Sequence, residues 1–185
     1  MARLDYPDPT QPAIADILAH LPDLHLFRML GHAETALGPW LSLGSALLSA
    51  LSLDPVLREL VILQVAAATG AEYERTQHEA IAADLGVSPA VLKAIREGRL
   101  DDDPGVAEHA EVLRVVDRLV RSHTATNVEF AMLRGQLEDR QVVELLLVVG
   151  FYLGLAVLIN AVELDPDPAA HLPVHAGPAD QAGNA

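Results

Sequence analysis

Glu59, Glu74 and His78 are the residues whose types and spacing suit proton chemistry. Glu74 and His78 fall within "AEYERTQHE" (71–79). They are four apart, so they share one face of a helix. An imidazole titrates near working pH and serves as a general acid or base. A carboxylate one turn away can orient it or share its proton. Glu59 precedes a long apolar run; burial there would raise its pKa and let it donate or relay a proton. Spacing alone also allows a plainer reading, a solvated Glu74–His78 pair worth a few tenths of a kcal/mol. Tyr73 either lines the same cleft or packs in the core. Arg75 binds a substrate carboxylate or faces solvent. Glu72, Gln77 and Glu79 are expected to point elsewhere. No metal is expected: "HEAIA" lacks the second histidine of a zinc-binding helix.

These residues need helices to position them. Among the 185 residues, 51% are hydrophobic but only 4% aromatic. A core of Leu, Val, Ala and Ile suits helices better than a sandwich. No segment alternates with period two, so the expectation is an all-α domain with a central helical hairpin. "LDPVLRELVILQVAAATG" (53–70) carries Asp54 as a cap, Pro55 in the first turn and Gly70 as the stop. "AEYERTQHEAIAADLG" (71–86) follows almost without a loop. Further helices are expected over 12–21, 24–49 (broken near Gly38-Pro39), 88–98, 106–123, 127–137 (capped by Asn127) and 139–164. Residues 1–12 read as an extended arm, 13–164 as one domain, and 165–185 as a flexible or loosely docked Pro/Ala/Gly-rich tail.

Composition removes several function classes. The chain has no cysteine, which excludes disulfides, thiolate nucleophiles and thiol redox chemistry. A net charge of −14 disfavours nucleic acid and anionic membrane surfaces as partners. No basic, apolar leader opens the sequence, so a cytoplasmic protein is expected. The run "LLLVVGFYLGLAVLI" (145–159) has 15 uncharged residues. That is short of the ~18 that argue for a membrane span, so it reads as a buried core or interface helix.

"LREL…A…GAEYERTQHEAIAADLGVS" and the closing "RQVVELLLVVGFYLGLAVLINAVEL" resemble the carboxymuconolactone decarboxylase family, which shares its fold with AhpD-like alkylhydroperoxidases. The resemblance spans roughly residues 24–164. It implies a compact helical subunit that forms homotrimers or homohexamers with pockets near subunit interfaces. The AhpD-like branch carries a Glu, a Cys-x-x-Cys pair and a His. These fall on Glu59, on Ala71 and Glu74, and on His78, so both thiols are missing and thiol peroxidase chemistry is excluded. The decarboxylase-like branch tends to follow "EYE" with Trp, where this chain has Arg75. The implied function is a cofactor-independent lyase acting on a small carboxylated lactone or related organic acid. Glu59, Glu74 and His78 would be catalytic, with Glu74 bonded to His78. Tyr73, Arg75, His32 and Trp40 would bind substrate. A non-catalytic ligand-binding or scaffold member, or an isomerase or dehydratase on the same residues, is the alternative.

Overall fold

The computed structural model describes residues 1–7, 12–101 and 103–169. Among the described residues it holds ten helices and no strand: α1 (Pro12–Leu18), α2 (His25–Leu30), α3 (Glu34–Ser49), α4 (Pro55–Thr69), α5 (Glu72–Asp84), α6 (Pro89–Arg96), α7 (Pro104–Ala107), α8 (Ala110–Ser122), α9 (Asn127–Gln136) and α10 (Asp139–Val162).

The expected central helix is the hub. From Leu57 to Ala66 every residue of α4 is buried, the state expected of a helix that is apolar on nearly all sides. α10, α5, α8 and α6 surround it. Its ends follow local rules. The Asp54 side chain accepts from the Leu57 amide at 2.9 Å, and Pro55 supplies the first turn. Gly70 stops the helix at φ +67°, a left-handed conformation that costs glycine little. The chain reverses there, and α5 packs back along α4 as the second arm of a hairpin.

α10 is long and apolar enough to cross a bilayer by length and composition. Half of its most apolar 18-residue window is buried within the chain. Val142, Leu145, Val149, Tyr152, Ala156 and Ile159 repeat at three- and four-residue steps and make up the inner stripe. Glu144 ties this helix to the α3–α4 loop. Its Oε2 accepts from the Ser52 amide (2.8 Å), the Ser52 hydroxyl (2.9 Å) and the Leu53 amide (2.9 Å).

Three local expectations change. The break in 24–49 falls at residues 31–33, and Pro39 sits inside α3. Proline removes one donor, the partner of the Thr35 carbonyl. Thr35 is exposed, which leaves its carbonyl open to solvent. Thr126, not Asn127, caps α9. Its hydroxyl accepts from the Glu129 amide while Glu129 accepts from the Thr126 amide, a reciprocal capping box. The helix expected over 106–123 divides into α7 and α8, because Asp103 caps a separate short turn at Pro104.

The termini dock on one another. The Arg3 amide donates to the Val162 carbonyl at 2.7 Å, and the Tyr6 hydroxyl donates to Asp165 at 2.9 Å. Of the segment read as a tail, residues 165–169 are described, and Asp165 and Asp167 fix them to the body. Residues 170–185 lie outside the described residues.

Candidate functional site

The α4–α5 hairpin sets Glu59, in the second turn of α4, opposite His78 on α5. His78 Nδ1 lies 2.7 Å from Glu59 Oε2. Arg58 Nε donates to the other carboxylate oxygen at 3.0 Å. All three side chains are buried: Glu59 is 0% exposed, Arg58 3% and His78 6%. Burial alone would raise the Glu59 pKa. The charges and hydrogen bonds of His78 and Arg58 outweigh that effect and hold it below the usual carboxylate range. An ionised Glu59 only accepts, so Nδ1 must carry the proton it receives. Nε2 is then the ring nitrogen left to meet a ligand.

Glu74 behaves in the opposite way. It is 2% exposed, and neither carboxylate oxygen has a hydrogen-bond partner among the described residues. With no donor or cation to favour the anion, burial pushes its pKa well above the ordinary range. The two carboxylates are thus pushed in opposite directions, Glu59 toward the anion and Glu74 toward the neutral acid, a separation of roles that acid/base enzymes use.

Both Glu74 and His78 face a cavity of about 320 Å³. Leu21, Leu24, Phe27, Leu41 and Leu48 form its apolar wall. Trp40 and Phe151 stack at 4.6 Å beside them. The Tyr152 ring meets the His78 ring edge-on, 4.9 Å between centroids. Tyr73 lines the cavity too, but its hydroxyl is committed: it donates to Asp167 at 2.6 Å. Burial first, then that bond, raises its pKa. Gln77 donates to the Pro168 carbonyl at 3.1 Å, so residues 167–168 rest on two cavity side chains.

Several expectations need correction. Glu74 does not bond His78; the imidazole turns away from its own helix toward Glu59. The raised pKa assigned to Glu59 belongs to Glu74, because Arg58 and His78 compensate the former and nothing compensates the latter. Arg75 lies off the cavity, bonded to Glu72 and to Glu79 (3.0 Å). His32 is exposed, with Nε2 2.8 Å from the Asp5 carbonyl, and also lies off the cavity. Gln77, expected to point elsewhere, faces it. Trp40 and Tyr73 line it.

Phe151, Tyr152 and Asp167 were not singled out from the sequence. Arg58, the adjacent partner the sequence offers Glu59, does bond it, although adjacent helical side chains ordinarily diverge. The two aromatics sit in an apolar run that reads as core. Asp167 belongs to the segment read as a tail. Among the described residues, no group of three or more His, Asp or Glu converges as a metal site.

Residues 35–118 match the model of the carboxymuconolactone decarboxylase family. A search of curated proteins gives no match. Among solved structures, an uncharacterized peroxidase-related protein from Silicibacter sp. TM1040 superposes with a TM-score of 0.71 at 19% identity, over 90% of this chain and 92% of that one. A second uncharacterized peroxidase-related protein, described as an alkylhydroperoxidase AhpD core, from Ralstonia eutropha JMP134, gives 0.70 at 20% identity over the same shares. At these identities the likeness establishes the fold, which is AhpD-like and all-helical.

Proposed function

From the family match over residues 35–118 and the site's geometry, we propose that this chain is a cofactor-independent acid/base enzyme. It moves a proton at a carbon beside the carbonyl of a small organic substrate. The observation that carries this reading is the buried 2.7 Å Glu59–His78 contact beside a cavity that also holds the neutral Glu74.

The roles follow from charge. His78 Nε2 takes or returns the proton on carbon. Glu59 fixes the tautomer and stabilises the imidazolium that forms, and Arg58 balances Glu59. Glu74 donates to the carbonyl oxygen as negative charge develops there. Decarboxylation of a β-keto-type lactone acid uses these groups in one order. The bond to the carboxylate breaks and carbon dioxide leaves. Its electron pair flows toward the carbonyl, whose oxygen takes the Glu74 proton. His78, charged at Nε2 by a proton from solvent, then protonates the enol on carbon while Glu74 recovers its proton from the enol oxygen. Isomerisation uses the same groups on a C–H bond.

The test is exchange of carbon-bound hydrogen with deuterated water across a panel of small ketones, esters and lactones, followed by mass spectrometry. The intact protein is expected to catalyse exchange on at least one member. His78→Asn is expected to lose about 10²–10⁴ of the rate, the range for a general base. No exchange on any member, or equal exchange by His78→Asn, would sink the reading.

The exposed face of α10 supports self-assembly. Val143 is 56% exposed, Leu147 51% and Val157 64%, a patch that suits a second copy. Sedimentation at three or six times 19.8 kDa is the expected result; a monomer at micromolar concentration would refute it.

A further inference from the structure

We infer that the cavity selects an uncharged, mostly apolar carbonyl compound and discriminates against carboxylates. This rests on the acid/base reading and, of its two reactions, favours isomerisation over decarboxylation, because a lactone acid would bring a carboxylate into the cavity.

The argument begins with where the chain's cations are. All 12 Lys and Arg residues lie within the described part, and none lines the cavity. The two nearest in sequence to the site are engaged elsewhere. Arg58 is spent on Glu59, and Arg75 on Glu72 and Glu79. Arg28 stacks over the Tyr6 ring at 4.8 Å. Arg96 joins Glu79, and Arg140 pairs with Glu144. The others are also held on acidic partners outside the cavity.

The charges that do border the cavity are negative or compensated. Glu59 and Arg58 cancel behind His78. Asp167, 7% exposed at its side chain, rests on Tyr73 at the cavity's edge. Glu74 is pushed toward its neutral form by burial, with both oxygens unpartnered among the described residues. A second carboxylate brought beside it meets the same environment, and burying an uncompensated anion is costly. A ketone, ester or lactone carbonyl asks only for a donor, which the protonated Glu74 provides. The wall of Leu21, Phe27, Leu41 and Leu48 suits the rest of such a molecule.

The chemistry that fits is reversible enolisation. The C–H bond beside the carbonyl breaks and its proton passes to His78 Nε2. The electron pair forms the carbon–carbon double bond, and the carbonyl oxygen takes the Glu74 proton. Reversal at the same or a conjugated carbon gives exchange or isomerisation with no change in oxidation state.

Trp40 is the chain's single tryptophan and lines the cavity, so its fluorescence reports occupancy. The experiment titrates the whole protein at pH 8 with cyclohexanone, methyl cyclohexanecarboxylate and cyclohexanecarboxylate. The ketone and ester are expected to bind at least tenfold more tightly than the acid. Ser45→Arg places a cation at an exposed position of the lining and is expected to erase the difference by strengthening binding of the acid. Equal or tighter binding of the acid by the unaltered protein overturns the inference, as does failure of all three to bind at millimolar concentration. Deuterium exchange on the bound ketone separates the two levels. Selective binding without exchange leaves the ligand class standing and removes the catalysis. Exchange on carboxylates alone does the reverse.

Discussion

Glu59→Gln is expected to lower stability by about 3–5 kcal/mol and deuterium-exchange activity by about 10³–10⁴. The first figure is the usual cost of removing one partner from a buried ion pair. Arg58 would be left charged, 3% exposed, with the carboxylate it pairs with gone. One of its guanidinium nitrogens is already without an acceptor in the intact protein. Against a total of about 5–15 kcal/mol for a domain, the loss brings the chain close to unfolding. The second figure is the scale seen when the carboxylate behind a catalytic imidazole becomes an amide that stabilises the wrong tautomer.

The pH sign is specific. Folding lowers the Glu59 pKa, so the unfolded chain binds more protons there and stability rises with pH through that range. Glu59's contribution is full above its unfolded pKa near 4.5 and is lost as pH falls through the folded value. Urea unfolding should therefore show a wide gap between the intact protein and Glu59→Gln at pH 7. That gap should narrow on acidification below the ordinary carboxylate range. A double replacement, Arg58→Met with Glu59→Met, removes both charges together and should recover most of the stability while remaining inactive. An E59Q protein as stable as the parent at pH 7 would show that Glu59 does not hold Arg58.

How far the sequence discloses this site depends on how local each cause is. α4 was legible because Asp54, Pro55 and Gly70 act within their own turn. The meeting of Glu59 and His78 was legible as a possibility because only Gly70 and Ala71 separate their helices. Which carboxylate His78 would choose was not legible. The four-residue spacing to Glu74 is written in the sequence, whereas the bond to Glu59 depends on how α5 is rotated against α4, and packing by the whole core sets that rotation. The same holds for the inverted proton affinities. Arg58 compensates Glu59 only because both are sealed beneath α10. Glu74 stands alone only because its cavity draws its walls from α2, α3 and α10. Arg75 illustrates the converse. One residue from Glu74 in sequence, it turns outward to the Glu72 and Glu79 carboxylates and takes no part in the cavity.

Glu74 should be the residue at which stability and activity oppose each other. Its carboxyl is buried without a partner, so the fold keeps it protonated while the unfolded chain lets it ionise. The folded state then binds more protons than the unfolded one, and stability falls as pH rises from about 4.5 toward the raised folded value. Glu74→Gln resembles the neutral acid in shape and does not titrate. At pH 5 it should be nearly as stable as the parent. Above that it should become the more stable protein, the difference growing by up to about 1.4 kcal/mol per pH unit until the parent's Glu74 ionises. Glu74→Met should be stabilised as well, since it also removes the unpaired oxygens. Activity should separate the two variants. The glutamine amide still offers an N–H to a carbonyl oxygen and should keep part of the exchange rate. Methionine offers no donor and should lose about 10²–10³ of it, the usual worth of one preorganised donor. Urea titrations of the parent and both variants from pH 5 to pH 8, with exchange rates on the same preparations, give both readouts. A stability difference that stays flat across that range would mean that Glu74 is ionised in the folded protein. The neutral-acid role, and the selection against carboxylates built on it, would then fail together.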